Sequence, residues 1–221
     1  KKKYLEIMKE HFQGLPDSDK FDFSEETKVW QVARANAISQ LYHNYLREYI
    51  EMCLRIKPFD PMWFLNSPAI TELAEQILYF FEDRGITDKI EQFKKMKEFL
   101  YSKYFFNTPY VLISSLFNAG ISRKFVYNAR KEPKSGDYYD VKIISHLLPY
   151  CDAMLIDNET RAILTEAPIN LERKFKTRIF SMSKKEEFIE YLYELKRQMP
   201  SEINRAVIEV YGELHTPSKK S

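Results

Sequence analysis

Glycine is scarce, with five residues in 221 against a usual share of roughly 7%. That shortage counts against glycine-rich phosphate loops and against all-β folds built on many tight turns. Cysteine is scarcer still. Cys53 and Cys151 are too few for a disulfide framework and lack CxxC spacing, so a reducing, cytoplasmic compartment is expected. The four histidines, His11, His43, His146 and His215, show neither HxxxH nor HExxH spacing, which leaves no zinc signature. Neither sign of charge dominates, because 34 Lys and Arg meet 32 Asp and Glu for a net charge of +2. A polybasic-tail nucleic-acid binder is excluded, while a local basic patch is not. With 30% charged and 44% apolar residues, the chain is neither a membrane protein nor disordered. No Ser or Cys nucleophile motif is present, and nothing suggests a small-molecule cofactor.

What the chain does have is length enough for one large domain or two small ones, hiding roughly 70% of its unfolded surface. Its opening run, Lys1-Lys2-Lys3-Tyr4-Leu5-Glu6, is expected to be helix interior rather than signal peptide, and the chain a piece of a longer protein. Residues 1–13 read as an amphipathic helix with Tyr4, Leu5, Met8 and Phe12 on one face. Ser24 is the expected N-cap of a long, largely buried helix over 25–57, stopped by Pro58. Ser67-Pro68 opens a helix over 69–83 that Gly85 closes, Asp88 with Glu91 starts another over 89–104, and Thr108-Pro109 starts a further one. The aromatics of Trp63-Phe64, Tyr79-Phe80-Phe81 and Tyr104-Phe105-Phe106 are expected in the core. Beyond residue 136 the texture changes. Asp137 to Tyr150 reads as a capped helix with Val141, Ile144, Leu147 and Leu148 inward. Ala153-Met154-Leu155-Ile156 and Thr177-Arg178-Ile179-Phe180 read as buried strands separated by a helix over 158–164. Ser183 with Glu186 reads as a capping box, and 201–212 as a last helix. Helix and strand alternating in this way imply a parallel sheet with crossovers.

Ligands of parallel α/β sheets bind beyond the carboxyl ends of the strands. Asp157 ends the strand 153–156, and Asp140 lies in the first turn of the preceding helix, one turn after Asp137. Helix and returning strand have similar lengths, so Asp140 and Asp157 are expected at the same sheet edge, with Asp152 at the other. Converging carboxylates repel unless they share a cation, and oxygen ligands favour Mg²⁺ or Mn²⁺ over zinc. The alternative is purely local: Asp137 as N-cap, Asp140 as a first-turn acid, Asp157 as a turn residue. Upstream, Arg123, Lys124, Arg130, Lys131 and Lys134 face a single acid, Glu132. They form either a phosphate grip or a solvated loop. Tyr138 and Tyr139 are placed to stack a base or to pack. Six residues past Asp140 on the same helix, His146 faces away from it.

The stretch Gly136-Asp137-Tyr138-Tyr139-Asp140 through Leu155-Ile156-Asp157 resembles the C-terminal half of PIN-like nuclease domains, in which an Asp opens a helix and a second Asp ends the next strand. Here Asp140 and Asp157 are seventeen apart. The resemblance extends over about residues 108–197. It implies an α/β, strongly helix-rich protein in which a large helical region, 1–106, precedes a PIN-like region, 107–221, with a short parallel sheet. It further implies cleavage of single-stranded RNA by metal-activated water. Asp140 and Asp157 would be catalytic, and Asp140, Asp157 and Asp137 would hold Mg or Mn. Arg123, Lys124, Arg130, Lys131 and Lys134 would grip RNA. PIN-like domains also carry an Asp at the end of a first strand, and no β-type run ending in Asp occurs before residue 110. Weak activity or none is therefore expected of the chain as it stands. The alternative expectation is a non-enzymatic helical module that binds protein or RNA, with the PIN-like half as scaffold.

Overall fold

A computed structural model describes residues 2–58 and 69–212. Helix α1 (Lys2–Gln13) buries Met8 and Phe12. Helix α2 (Phe23–Cys53) begins two residues before the expected start, because Asp22 rather than Ser24 caps it: the Asp22 carboxylate accepts the backbone N–H groups of Ser24 and Glu25. It is also far less buried than its apolar stripe suggests, with Glu26, Thr27, Ala35 and Tyr42 its buried residues. Helix α3 (Ala69–Glu82) ends at Gly85 with φ 81°, the left-handed conformation glycine adopts most readily. The expected cap at Ser67-Pro68, like Trp63-Phe64, lies outside the described residues. Helix α4 (Lys89–Leu100) has the expected Asp88 cap, but Tyr101 interrupts the run to 104. A separate turn, α5 (Lys103–Phe106), starts on the Ser102 hydroxyl. Phe105 and Phe106 are buried as expected, whereas Tyr79, Phe80 and Tyr104 stand exposed.

Helix α6 (Pro109–Val126) is buried on every side, the mark of a central helix. Val111 packs into one core with Ala35, Tyr42, Met96, Leu100, Phe105 and Phe106. Ile113, Leu116, Phe117 and Ile121 belong to the other. That second core takes Val141 and Ile144 from α7 (Asp137–Leu147), Ile163 and Leu164 from α8 (Asn158–Thr165), Leu171 from α9 (Leu171–Phe175) and Ile179 from β2 (Arg178–Ser181). Met8 and Phe12 of α1 pack there too, with Phe23 and Trp30 from the start of α2 against the same core, so the first helix joins the core of the C-terminal region rather than the core around Tyr42 and Leu100. At Gly120, a Cβ would come within 2.5 Å of Ile163 Cγ2 and 2.9 Å of Ile169 Cδ1. Only glycine allows α6 and α8 to approach so closely.

Strand β1 (Ala153–Ile156) pairs parallel with β2, in register from Ala153 opposite Arg178 to Ile156 opposite Ser181. The crossover runs through α8 and α9, as a parallel pair requires. The protein is thus α/β and strongly helix-rich, with β1 and β2 the strands of its described residues. On the outer edge of β2, Glu172 accepts the Ile179 N–H at 2.7 Å and Arg161 Nε donates to the Ile179 carbonyl at 2.8 Å, which satisfies an otherwise open edge. Leu147 and Leu155, expected inward, are exposed. A two-stranded sheet leaves one face of β1 uncovered, and α7 presents Leu147 past the end of its buried stripe. The Ser183–Glu186 box does not form. Lys184 occupies the N-cap of α10 (Lys185–Gln198) with no side-chain cap, and the Ser183 hydroxyl pairs with that of Ser181 at 3.0 Å. Helix α11 (Ser201–Tyr211) completes the described chain. Among the described residues, no helix is long and apolar enough to cross a membrane.

Candidate functional site

Helix α7 and helix α8 both begin beside the carboxyl end of β1, because strand and preceding helix run nearly the same length in opposite directions. Their first turns carry the acids: Asp137 and Asp140 on α7, Glu159 on α8, with Asp157 as the α8 N-cap. Acids suit these positions, since each helix start presents free N–H groups and the positive end of its dipole.

Asp137 does not cap its own helix. Gly136 occupies that position and offers no side chain. The Asp137 carboxylate turns back instead, accepting the Lys134 backbone N–H at 2.6 Å and the Arg130 Nη2 group at 2.8 Å. This pair is buried, with the Arg130 side chain 4% and the Asp137 side chain 9% exposed. Asp157 accepts the Thr160 N–H at 2.9 Å. Burial pushes its carboxyl up, but the hydrogen bonds from Thr160 and the neighbouring backbone outweigh that and hold it below its ordinary value. Asp140, one turn beyond Asp137, shifts the other way. Burial raises it first, the carboxylates of Asp157 and Asp137 raise it further, and Arg130 offsets part of this. The three expected acids therefore share one electrostatic neighbourhood, with Asp140 the member whose charge is least supported.

The basic segment is placed less as expected. Arg130 is buried against Asp137, and its Nε lies 3.5 Å from Glu159 Oε1. Lys134 pairs with the other oxygen of Glu159, and that ammonium is the largest cause of the lowered Glu159 carboxyl. Arg123 donates to the Ala167 carbonyl at 2.5 Å and lies 3.4 Å from Glu166. Lys124 is half-buried with its charge acting on Glu159, and Lys131 is exposed. Folding thus commits three of the five cations, Arg123, Arg130 and Lys134, to protein acceptors, and buries Arg130 among them.

Two contributors escaped the sequence reading. Tyr4 comes from α1, its hydroxyl donating to Asn118 Oδ1 of α6 at 2.9 Å. Burial, then the charges of Asp137 and Asp140, raise its phenol well above the ordinary range. Tyr4 also meets Tyr138, ring centroids 5.5 Å apart, so Tyr138 packs against α1. Asn118 is the second, and no local signal marks it because its partner is 114 residues away. His146 sits apart, against the Tyr110 ring at 4.5 Å.

Among the described residues, no group of three or more His, Cys, Asp or Glu side chains is disposed to hold a metal. Asp140 is raised first by burial and then by the charge of Asp157, and a cation shared by these two carboxylates would relieve that like-charge effect. Such a pair fits Mg²⁺ or Mn²⁺, which bind through one or two carboxylates and keep several waters. No family model matches the sequence, and no curated protein or solved structure matches it.

Proposed function

We propose that the chain is a PIN-like, metal-dependent endoribonuclease or a degenerate relative of one, acting on single-stranded RNA. One observation supports this reading: in the α7–β1–α8–β2 unit, with its parallel strands, the Asp140 carboxyl is raised by burial and then by the charge of Asp157. Asp140 and Asp157 would hold Mg or Mn, with Asp137 as their buried neighbour. When bound, the ion polarises a phosphate and lowers the pKa of its water. Asp157 is fixed for that task by its bond to Thr160. Lys124 and Lys131 are the cations of the basic segment left to meet a phosphate backbone, so binding should weaken as salt rises. The first-strand Asp that the resemblance implies has no counterpart among the described residues.

A second reading, a non-enzymatic module that binds RNA or protein on this scaffold, is favoured by the neutralisation of Asp137 by Arg130. Fluorescently labelled single-stranded RNA incubated with Mn²⁺ separates the two. Weak cleavage by the wild-type protein, lost in both Asp140→Asn and Asp157→Asn, is the result expected of the first reading. Binding without cleavage would select the second reading.

A further inference from the structure

The two edges of the sheet are finished differently. On β2, Ile179 turns its N–H and its C=O away from β1, and both are taken, by Glu172 and by Arg161. Successive residues of a strand bond to opposite sides, so Arg178 and Phe180 bond toward β1. The Arg178 N–H donates to the Asp152 carbonyl at 2.9 Å, and Met154 and Ile156 follow as the β1 residues that bond to β2. Ala153 and Leu155 therefore direct their N–H and C=O groups outward, where no group among the described residues bonds them. Apart from being short, β1 has none of the devices that protect an open edge, neither lysine, proline nor bulge. Apolar surface lies beside it. Leu155, 48% exposed, is in register with Phe180 and shares its face of the sheet. Helix α10 covers that face through Phe188 and Tyr191. Leu192 and Leu195, one turn further along α10 on the same side, are exposed.

We propose that the open edge of β1 is a docking edge for an extended peptide of a partner protein, an apolar segment with a basic residue near each end. Main-chain bonds to Ala153 and Leu155 hold the peptide, and its apolar side chains at alternate positions cover Leu155 and the outer face. The basic ends follow from what brackets the edge: Asp152 precedes β1 and Asp157 follows it, both exposed. In antiparallel pairing, the residues opposite Leu155 and Ala153 are apolar and those opposite Asp157 and Asp152 are basic. Read from its N-terminus, the peptide is then basic, any, apolar, any, apolar, basic. The same charges disfavour a second copy of this chain. Antiparallel pairing of two β1 strands sets the Asp152 end of one against the Asp157 end of the other, so acids meet acids. The proposal is independent of the metal-site reading and holds whether or not the protein cleaves RNA.

The test is binding of a fluorescein-labelled hexapeptide, Lys-Thr-Val-Thr-Val-Lys, to the full chain, followed by fluorescence anisotropy. Saturable binding below ~1 mM is expected. Methylating the two valine N–H groups removes the donors to the Leu155 and Ala153 carbonyls and should weaken binding by about tenfold or more, the scale of a lost hydrogen bond. In the protein, Leu155→Pro removes one outward N–H and spares the β1–β2 ladder, which does not use it. It should lose a similar factor, while Leu155→Ala, which keeps the N–H, should lose less. Glu-Thr-Val-Thr-Val-Glu should bind more weakly than the basic peptide, by a margin that shrinks as salt rises. Absence of saturable binding to the wild-type protein would overturn the proposal. Equal affinity for the methylated peptide would overturn it too, and decides the matter even if Leu155→Pro fails to fold. A folded Leu155→Pro variant with unchanged affinity would place the peptide elsewhere, and equal affinity for the acidic peptide would remove the basic ends. Sedimentation of the wild-type protein as a dimer and of Leu155→Pro as a monomer would seat a second copy on the edge, which also overturns the proposal.

Discussion

Phe117, Ile121, Ile163 and Ile179 are each at most 2% exposed and interlock around Gly120, whereas Val29, Leu41 and Ile50 along α2 stand 48%, 53% and 53% exposed. The α/β region and the helical region are made of similar apolar residues, and both leave some of them exposed, Leu147 and Leu155 in the first, but the first has the more tightly interlocked centre. Its tight core holds the starts of α7 and α8, which carry Asp140 and Asp157, in fixed relation. The helical region carries no such constraint. It leaves apolar surface uncovered, including a groove of about 510 Å³ bounded by Leu73, Ile77, Phe80, Phe81, Phe99 and Tyr104 of α3 to α5.

The comparison breaks most directly on two substitutions. Phe117→Ala should cost about 3–5 kcal/mol, the usual range for emptying an aromatic core position. Leu41→Ala should stay within ~0.5 kcal/mol, as surface changes do. Urea unfolding of both variants measures the contrast, and equal losses would mean that α2 is covered in solution. Next in size is Gly120→Ala. A mid-helix alanine gains about 1 kcal/mol over glycine, but overpacking typically costs 1–3 kcal/mol. Ile163 is β-branched, so its Cγ2, 2.5 Å from the new methyl, cannot swing aside. Net destabilisation is expected, and a stabilised variant would show that α6 and α8 part easily.

The difference between regions also explains what could be read from residues alone. Strand β1 was legible to its ends because four apolar residues stand between Asp152 and Asp157. The β2 strand runs 178–181 instead of 177–180, since Thr177 has strand character but is used to donate its hydroxyl to the Leu148 carbonyl. Asp22 and Ser24 are both good caps, and only the fold chooses between them. Matched helix and strand lengths are what put Asp140 and Asp157 at neighbouring helix starts. The burial of Arg130 was not legible, because a count of cations in a loop cannot tell which one folds inward. The α2 stripe misled for a related reason: periodicity shows that a face is apolar without showing that anything covers it.

A smaller effect sharpens the site itself. Without metal, Asp157→Ala should cost ~1 kcal/mol through loss of the α8 cap, while Asp140→Asn should leave stability equal or higher by removing an ill-supported charge. Both should lose any rise in Tm that Mn²⁺ gives the wild-type protein. Thermal melts with and without Mn²⁺ would reveal a site elsewhere if that rise survived in both variants.

The smallest effect lies where the regions meet. Glu26 of α2 receives the Trp30 indole N–H at 2.7 Å and lies 2.6 Å from His11 Nε2 of α1, so it fastens the α/β core's outlying helix to the helical region. Burial raises its carboxyl, but the contacts with His11, Ser122 and Trp30 outweigh burial and hold it below its ordinary value. A carboxylate depressed in the folded state adds stability above its unfolded pKa and loses it as pH falls through the folded pKa. Glu26→Gln keeps an oxygen for Trp30 but cannot titrate, so it should lack that part of the acid-side loss. Urea unfolding at a series of pH values should therefore show wild type and variant converging as pH drops through the acidic range, with wild type the more stable near neutrality. Parallel curves would mean that His11 and Glu26 do not hold α1 through charge, and that apolar contacts at Met8 and Phe12 alone attach it.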